Sequence, residues 1–428
     1  MNIVILTNTF TPHVGGVARS VETFTEEYRK RGHRVLVVAP EFPDMPQDEV
    51  DVVRIPAIQN FNASDFSVAL PVHPRLTETL DDFQPDIVHA QHPFLLGMSA
   101  VRIARYRELP LVFTHHTLYE QYTHYVPGDS PALKRFVIEL GTRYANLSDQ
   151  VFAPSESIRD LLYERGVSTP ITVVPTGVRL ENFAHGDGAA FRAQQNIPQA
   201  AFVVGHLGRL APEKNLEFLA EAVAVFLKTA SQAHFLVIGT GPSEKAIRKI
   251  FARAGLEARL HMAGTLQHEQ LADALHAMDV FAFASRSETQ GLVLTEVMAA
   301  GLPVVALDAS GVREVVKDRQ NGRLLREETP EAFSAALHWV AGLSQQQMRA
   351  LKQSALDTAE AFSMPRTADK ALACYESLKP KSTADSGDKE RGWEDVVILI
   401  KTEWDIIKSV AGAGDAALDE SLFSEKED

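Results

Sequence analysis

Residues 280–307, VFAFASRSETQGLVLTEVMAAGLPVVAL, decide the fold. They open on a strand-like apolar run, 280–284, cross a polar loop at 285–290, and continue as an apolar helical run from near Gly291. Gly301 closes that helix and Pro303 begins the next strand, the usual glycine and proline punctuation. A strand, a helix and a second strand in this order form a parallel βαβ unit. Inside the helix Glu296 stands among Leu292, Val293, Val297 and Met298. A carboxylate in apolar surroundings is costly to bury unless it has partners. The two hydroxyls of a vicinal diol suit it. The helix start at Gln290, Gly291 and Leu292 offers backbone amides to a phosphate, and Glu288 lies in the loop just before them. The alternative is one exposed helix carboxylate and one N-terminal helix charge, which the whole constellation disfavours.

The same alternation extends in both directions. Toward the N-terminus from residue 280, strands are expected at 259–262, 234–239 and 202–210, with helices at 243–255 and 216–230. Helical patterns follow at 331–342, 345–362 and 367–378. Before residue 179 a separate series runs through strands at 2–10, 33–40, 86–91, 111–115, 150–153 and 171–174. Its helices include 18–31, closed by Gly32, together with 131–147 and 156–166. Each series supplies enough strands for its own doubly wound sheet, so the class is α/β with two Rossmann-like domains. The boundary is expected in the polar stretch 179–198, which contains Gly186, Gly188 and Pro198. The expected division is 1–185 for the first domain and 186–362 for the second. A helix at 363–379 is expected to cross back, and 380–428 reads as an acidic linker followed by an amphipathic helix. Open sheets of this kind bind ligands beyond the carboxyl ends of their strands, so two such domains facing each other would make a cleft.

Composition narrows the classes. The chain has 428 residues, 45% of them hydrophobic and 23% charged, the balance of a globular protein with a sizeable core. Cys374 is the single cysteine, so no internal disulfide is possible and a reducing, cytosolic setting fits. The apolar run at 3–6 follows Met1 with no basic residue before it, so it does not read as a signal peptide. No apolar stretch approaches the roughly 20 residues that span a bilayer. The net charge is −14, of which residues 385–428 carry −8 from 13 acidic and 5 basic residues. Nucleic-acid binding, which leaves a basic footprint, is not indicated; the acidity reads first as solubility.

Three further motifs carry chemistry. Pro12-His13-Val14-Gly15-Gly16-Val17 joins a strand to a helix, and its paired glycines let backbone approach a ligand. Read alone, it serves equally well as an empty turn. Gly208-Arg209-Leu210-Ala211-Pro212-Glu213-Lys214-Asn215 leaves a strand end and enters a helix. Arg209 and Lys214 could converge on a diphosphate through charge-assisted hydrogen bonds, although two solvated cations are the commoner outcome. Phe113-Thr114-His115-His116-Thr117 ends a buried-looking strand. Its adjacent histidines point to opposite sides, so only one need face the core. His89 and His92 read as structural residues or a pocket wall. No Asp-x-Asp sequence, no metal-ligand spacing of His or Cys, no GxSxG elbow and no Walker-type loop is present. No metal site and no cofactor are therefore expected.

Taken together, these motifs resemble the retaining GT-B glycosyltransferases of family four, over about residues 1–379. The resemblance implies that Arg209 and Lys214 hold the donor diphosphate and that Glu296 binds the ribose hydroxyls. Glu288 would face the transferred sugar, with Gln290, Gly291 and Leu292 beside it among the donor contacts. Gly15 and Gly16 would lie against the donor, and His116, next to Thr117, would sit near the reaction centre. Two departures stand out. Gln290 occupies a place where many members carry an aromatic residue, and Ser310-Gly311 replaces a common Gly-Gly, with little harm expected. The glutamate motif, with HHTLYEQYTHY at 115–125, looks like the subgroup that includes glucosyltransferases acting on diacylglycerol. The implied reaction moves a hexosyl group from a nucleotide diphosphate sugar, UDP-glucose-like by preference, to a hydroxyl with retention. A lipid hydroxyl such as diacylglycerol is the favoured acceptor, and a soluble or cell-surface polysaccharide sugar is the alternative. The rival classes are a GT-B epimerase and a non-catalytic nucleotide-sugar-binding protein. A cytoplasmic location is expected. Peripheral contact with the inner face of the cell membrane could come from 131–147, where Lys134, Arg135 and Arg143 lie among apolar residues. At 393–410, Trp393, Val396, Val397, Ile400, Trp404 and Ile407 share one helical face, but the acidic surroundings favour docking on protein.

Overall fold

A computed structural model describes residues 1–378 except 14, 47, 59–67, 70–73 and 122–129. The expectations for Val14, for most of the aromatic segment at 119–127 and for 380–428 lie outside the described residues. The chain forms two compact units. Among the described residues, one is Met1–Pro175 with Thr367–Leu378, and the other is Thr176–Arg366.

The first unit contains β1 (Asn2–Leu6), α1 (Gly16–Lys30), β2 (Arg34–Pro40) and β3 (Val52–Ile55). A short antiparallel pair, β4 (Ala57–Ile58) with β5 (Val68–Ala69), precedes α2 (Pro74–Phe83) and β6 (Ile87–Ala90). There follow α3 (Leu96–Tyr106), β7 (Leu111–Thr114), α4 (Pro131–Leu147), β8 (Gln150–Ala153), α5 (Glu156–Glu164) and β9 (Ile171–Val173). The strands form one sheet in the order β3-β2-β1-β6-β7-β8-β9, with every neighbour parallel. Because helices cover both faces, β1, β2, β6, β7 and β8 are nearly continuous buried apolar runs. Helix starts are fixed by side-chain caps: Ser130 accepts from the Leu133 amide and Ser155 from the Ile158 amide.

The second unit contains α6 (Gly188–Gln194), β10 (Phe202–Leu207), α7 (Leu216–Thr229), β11 (Ala233–Ile238), α8 (Glu244–Arg253), β12 (Leu260–Gly264) and α9 (His268–His276). It continues with β13 (Val280–Phe283), α10 (Leu292–Ala299), β14 (Val304–Leu307), β15 (Gly322–Leu325), α11 (Pro330–Ala341) and α12 (Gln345–Ala361). The sheet order is β12-β11-β10-β13-β14-β15, again all parallel. Both sheets are therefore doubly wound. Strand order reverses between β1 and β6 in the first unit and between β10 and β13 in the second. Ligands of such sheets sit outside the carboxyl ends of the strands at these two places.

Helix α13 (Met364–Ser377) leaves the second unit and packs on the first. Its buried Tyr375 hydroxyl pairs with His89 Nδ1 at 2.6 Å, and His89 Nε2 pairs with Thr114 Oγ1 at 2.7 Å. Pro365 lies in its first turn, where a missing N–H costs nothing, so the helix begins before the expected residue 367. The first-domain boundary expected at residue 185 falls inside the second unit. Val178 pairs with Ser363 there, and Val178 and Phe183 join its core. The edge strands β3 and β15 were not expected, since their short runs contain Arg54 and Arg323.

Candidate functional site

The seven residues expected at the donor in the second unit gather at the carboxyl ends of β10 and β13. After β10 the chain turns through Gly208 at φ +154. A Cβ on Gly239 would overlap the Gly208 carbonyl oxygen, and one on Gly241 would overlap that of Leu210. Glycine at 239 and 241 thus lets the loop after β11 lie against the turn after β10. Pro212–Lys214 makes one 3-10 turn, and Asn215, left-handed at φ +55, starts α7. Arg209 donates to Glu213 Oε1 at 2.5 Å across one turn, with its side chain 55% exposed. Lys214 Nζ donates to Glu288 Oε1 at 2.6 Å, and both of these side chains are largely buried. That ion pair joins the turn after β10 to the loop after β13.

The Glu288 loop is held by backbone fit. Gly291, at φ +71, caps α10 with no side-chain hydrogen bond. A Cβ on Gly311 would lie 2.8 Å from Gln290 N and 2.9 Å from Glu288 O. Glycine is therefore required at 311, where it occurs, while Ser310 lies outside the left-handed region. Glu296 is 8% exposed on a helix whose Leu294, Val297 and Met298 are fully buried. The Gln290 side chain, expected among the donor contacts, is instead 4% exposed and spent inside the unit. Its Nε2 donates to Thr176 O and its Oε1 accepts from Thr176 N, both at 2.7 Å.

Sequence reasoning missed several residues here. Glu328 accepts from Asn215 Nδ2 at 2.9 Å and pairs with Arg286, so it ties the α7 start to the β13 loop. Ser285 Oγ and His206 Nε2 are buried with no hydrogen-bond partner among the described residues. The other ring nitrogen of His206 bonds Ala282 O at 3.1 Å, and burial pushes its pKa down to about 4. A histidine inside a strand gave no sequence signal beyond a core residue.

In the first unit, Gly15 is the extended N-cap of α1, again without a side-chain cap, and Gly16 is the first helical residue. A Cβ on Gly15 would come within 3.3 Å of His13 Nε2, whose ring stacks on Phe42. Thr11–Pro12 is cis. Asn8 fixes the adjoining loop: its amide N donates to His92 Nδ1 at 3.1 Å and its side chain spans Phe94 O and Leu96 N. Adjacent His115 and His116 do face different ways. His115 is buried, and His116 is half-buried with Nε2 donating to Gln91 Oε1 at 2.6 Å. Burial, then the neighbouring His92, His89 and His115, lower the His116 pKa well below the usual histidine value. Burial likewise brings His89 and His92 down to about 3 and His115 to about 4. His89 and His92 are thus built into the scaffold. Gly15, Gly16 and His116 border the carboxyl ends of β1 and β7.

Comparison with known proteins agrees with this architecture. The family model described as Glycosyltransferase Family 4 matches residues 14–182, and Glycosyl transferases group 1 matches residues 187–356. Among curated relatives, alpha-monoglucosyldiacylglycerol synthase from Streptococcus pneumoniae is 30% identical over 330 residues, 76% of this chain and 75% of that protein. GDP-mannose-dependent alpha-mannosyltransferase from Mycobacterium tuberculosis is 28% identical over 402 residues, 90% of this chain and 98% of that protein. Among solved structures, Anabaena HepE in complex with UDP superposes with a TM-score of 0.72 at 21% identity, over 88% of this chain and all of that one, which bears on the fold. The two Rossmann-like units are those of the GT-B fold, and the chain belongs to the family-4 glycosyltransferases.

Proposed function

We propose that this glycosyltransferase moves a hexosyl group from a nucleotide diphosphate sugar to a lipid hydroxyl, with retention at the anomeric carbon. UDP-glucose is the favoured donor and diacylglycerol the favoured acceptor. The observation that carries the donor half is the Lys214–Glu288 pair, 2.6 Å apart where the ends of β10 and β13 meet. Lys214 and Arg209 take the diphosphate oxygens, and the uncapped start of α10 adds amide donors. Glu288, released from Lys214, faces the sugar, and Glu296 accepts from the ribose hydroxyls. The anomeric C–O bond to phosphate breaks as the acceptor oxygen adds from the same face. The acceptor proton passes to the departing phosphate oxygen, whose charge Arg209 and Lys214 stabilise.

Support for the lipid half comes from the relative named alpha-monoglucosyldiacylglycerol synthase and from α4. The later part of that helix is core, with Leu140, Tyr144 and Ala145 buried and Arg143 paired to Glu139. Its first turns keep Leu133, Phe136 and Val137 half-buried beside exposed Lys134. No helix among the described residues is long and apolar enough to cross a membrane, so the reading is surface contact. A mannosyl donor is the second reading, favoured by the mycobacterial relative that spans 90% of this chain. Mass spectrometry of reactions with UDP-glucose or GDP-mannose, on diacylglycerol vesicles and on soluble sugars, separates the cases. Glucosyl-diacylglycerol is the expected product. Efficient transfer only to a water-soluble sugar would overturn the lipid acceptor.

A further inference from the structure

We propose that Gln290 is a positioning residue, holding the Glu288 loop in register against the backbone of Thr176 rather than touching the donor. The inference rests on the donor reading above and assigns Gln290 a role that reading does not give it. The Gln290 amide pairs with Thr176 as one peptide group pairs with another. Its Nε2–H meets the Thr176 carbonyl and its Oε1 meets the Thr176 amide, each at 2.7 Å. Both residues are buried, at 4% and 5% exposure. A neutral side chain that presents a donor and an acceptor in one plane is an amide, and glutamine reaches one methylene further than asparagine.

The platform it grips is itself fastened. Thr176 is the first residue of the second unit. Two residues on, the Val178 amide donates to Phe362 O and the Met364 amide donates to Val178 O, both at 2.9 Å. On its other side the loop abuts Gly311, where even a Cβ would come within 2.8 Å of Gln290 N. The loop backbone therefore lies between two fixed walls. Glu288 is two residues before the clamp, and Gly291, which starts α10, is one residue after it. An aromatic residue here could fill the volume but would leave both Thr176 backbone groups without these partners, at a cost in a buried place. Loosening the clamp lets Glu288 and the α10 amides drift, and misplacement of about 1 Å costs on the order of 100-fold in rate.

The test compares wild type, Gln290→Leu and Gln290→Glu. Donor kcat and KM are measured at pH 6 and pH 8, with UDP and GDP binding by calorimetry and melting temperature alongside. Gln290→Leu is expected to lose ten- to 100-fold in kcat/KM. Gln290→Glu is expected to be impaired at pH 8, where its carboxylate faces the Thr176 carbonyl. Burial beside the Thr176 carbonyl raises that carboxyl's pKa above its ordinary value, so activity relative to wild type should recover at pH 6, as the protonated acid donates to that carbonyl. Wild-type kinetics in Gln290→Leu, or a Gln290→Glu activity ratio unchanged between the two pH values, would overturn the assignment. If Gln290→Leu does not fold, the Gln290→Glu ratio decides. Wild-type protein that binds neither UDP nor GDP would instead remove the donor reading, and this inference with it.

Discussion

Replacing Lys214 by alanine tests the phosphate assignment at its strongest point. The ammonium lies 2.6 Å from Glu288 Oε1, with the two side chains 21% and 14% exposed. At that burial an effective dielectric near 20 gives roughly 4 kcal/mol between unit charges 4 Å apart. Charge on the leaving diphosphate grows in the transition state, so part of that attraction acts on the barrier. A loss of about 2.7 kcal/mol corresponds to about 100-fold in kcat. Truncation also strips Glu288 of its cation, costing stability on the order of 1–3 kcal/mol. The two effects separate by measuring nucleoside diphosphate release at saturating donor beside thermal melting. Glu288→Gln and the double variant complete a cycle that isolates the pair. Arg209→Ala should lose turnover similarly, although its exposed guanidinium, held by Glu213, contributes little to stability. Near-normal kinetics in both single variants would refute the reasoning.

Glu296→Ala should weaken donor binding about tenfold or more, since a buried carboxylate bonded to two hydroxyls contributes roughly 1.5–3 kcal/mol per charged hydrogen bond; unchanged UDP affinity by calorimetry would count against the ribose role. Turnover should persist in excess chelator if, as proposed, Arg209 and Lys214 neutralise the diphosphate; complete loss restored by magnesium or manganese would show otherwise. Acid should destabilise the fold through its buried neutral histidines. His89 and His92 stand near 3, and His115 and His206 near 4, against about 6.5 unfolded. The native state thus excludes protons that the unfolded chain takes up. Their contribution is whole above about pH 6.5 and is lost as pH falls toward these values, at about 1.4 kcal/mol per histidine per pH unit. A melting temperature constant between pH 7 and pH 5 would contradict this.

Much of the fold was legible because parallel strands buried on both faces must be apolar runs, as β13 and β14 are. The helix between them announced itself by Gly291, Gly301 and Pro303. The edge strands β3 and β15 were not legible, because one open side lets Arg54 and Arg323 in. The inward packing of Val178 and Phe183 was not legible either, because polar residues at 179–186 surround them. Nothing along the chain signals that Lys214 and Glu288 pair. That contact depends on which strands are neighbours, and β10 lies beside β13 only in three dimensions. The same reason hid Gln290's partner, since Thr176 is 114 residues away along the chain.

The most direct test is to count, in one reaction with donor sugar and lipid acceptor, the nucleoside diphosphate released and the glycoside formed, and to read the anomeric configuration of the product by proton NMR. Equal amounts are expected, with an α-linked product from an α-linked donor. Donor consumed without glycoside, or a β-linked product, would contradict this.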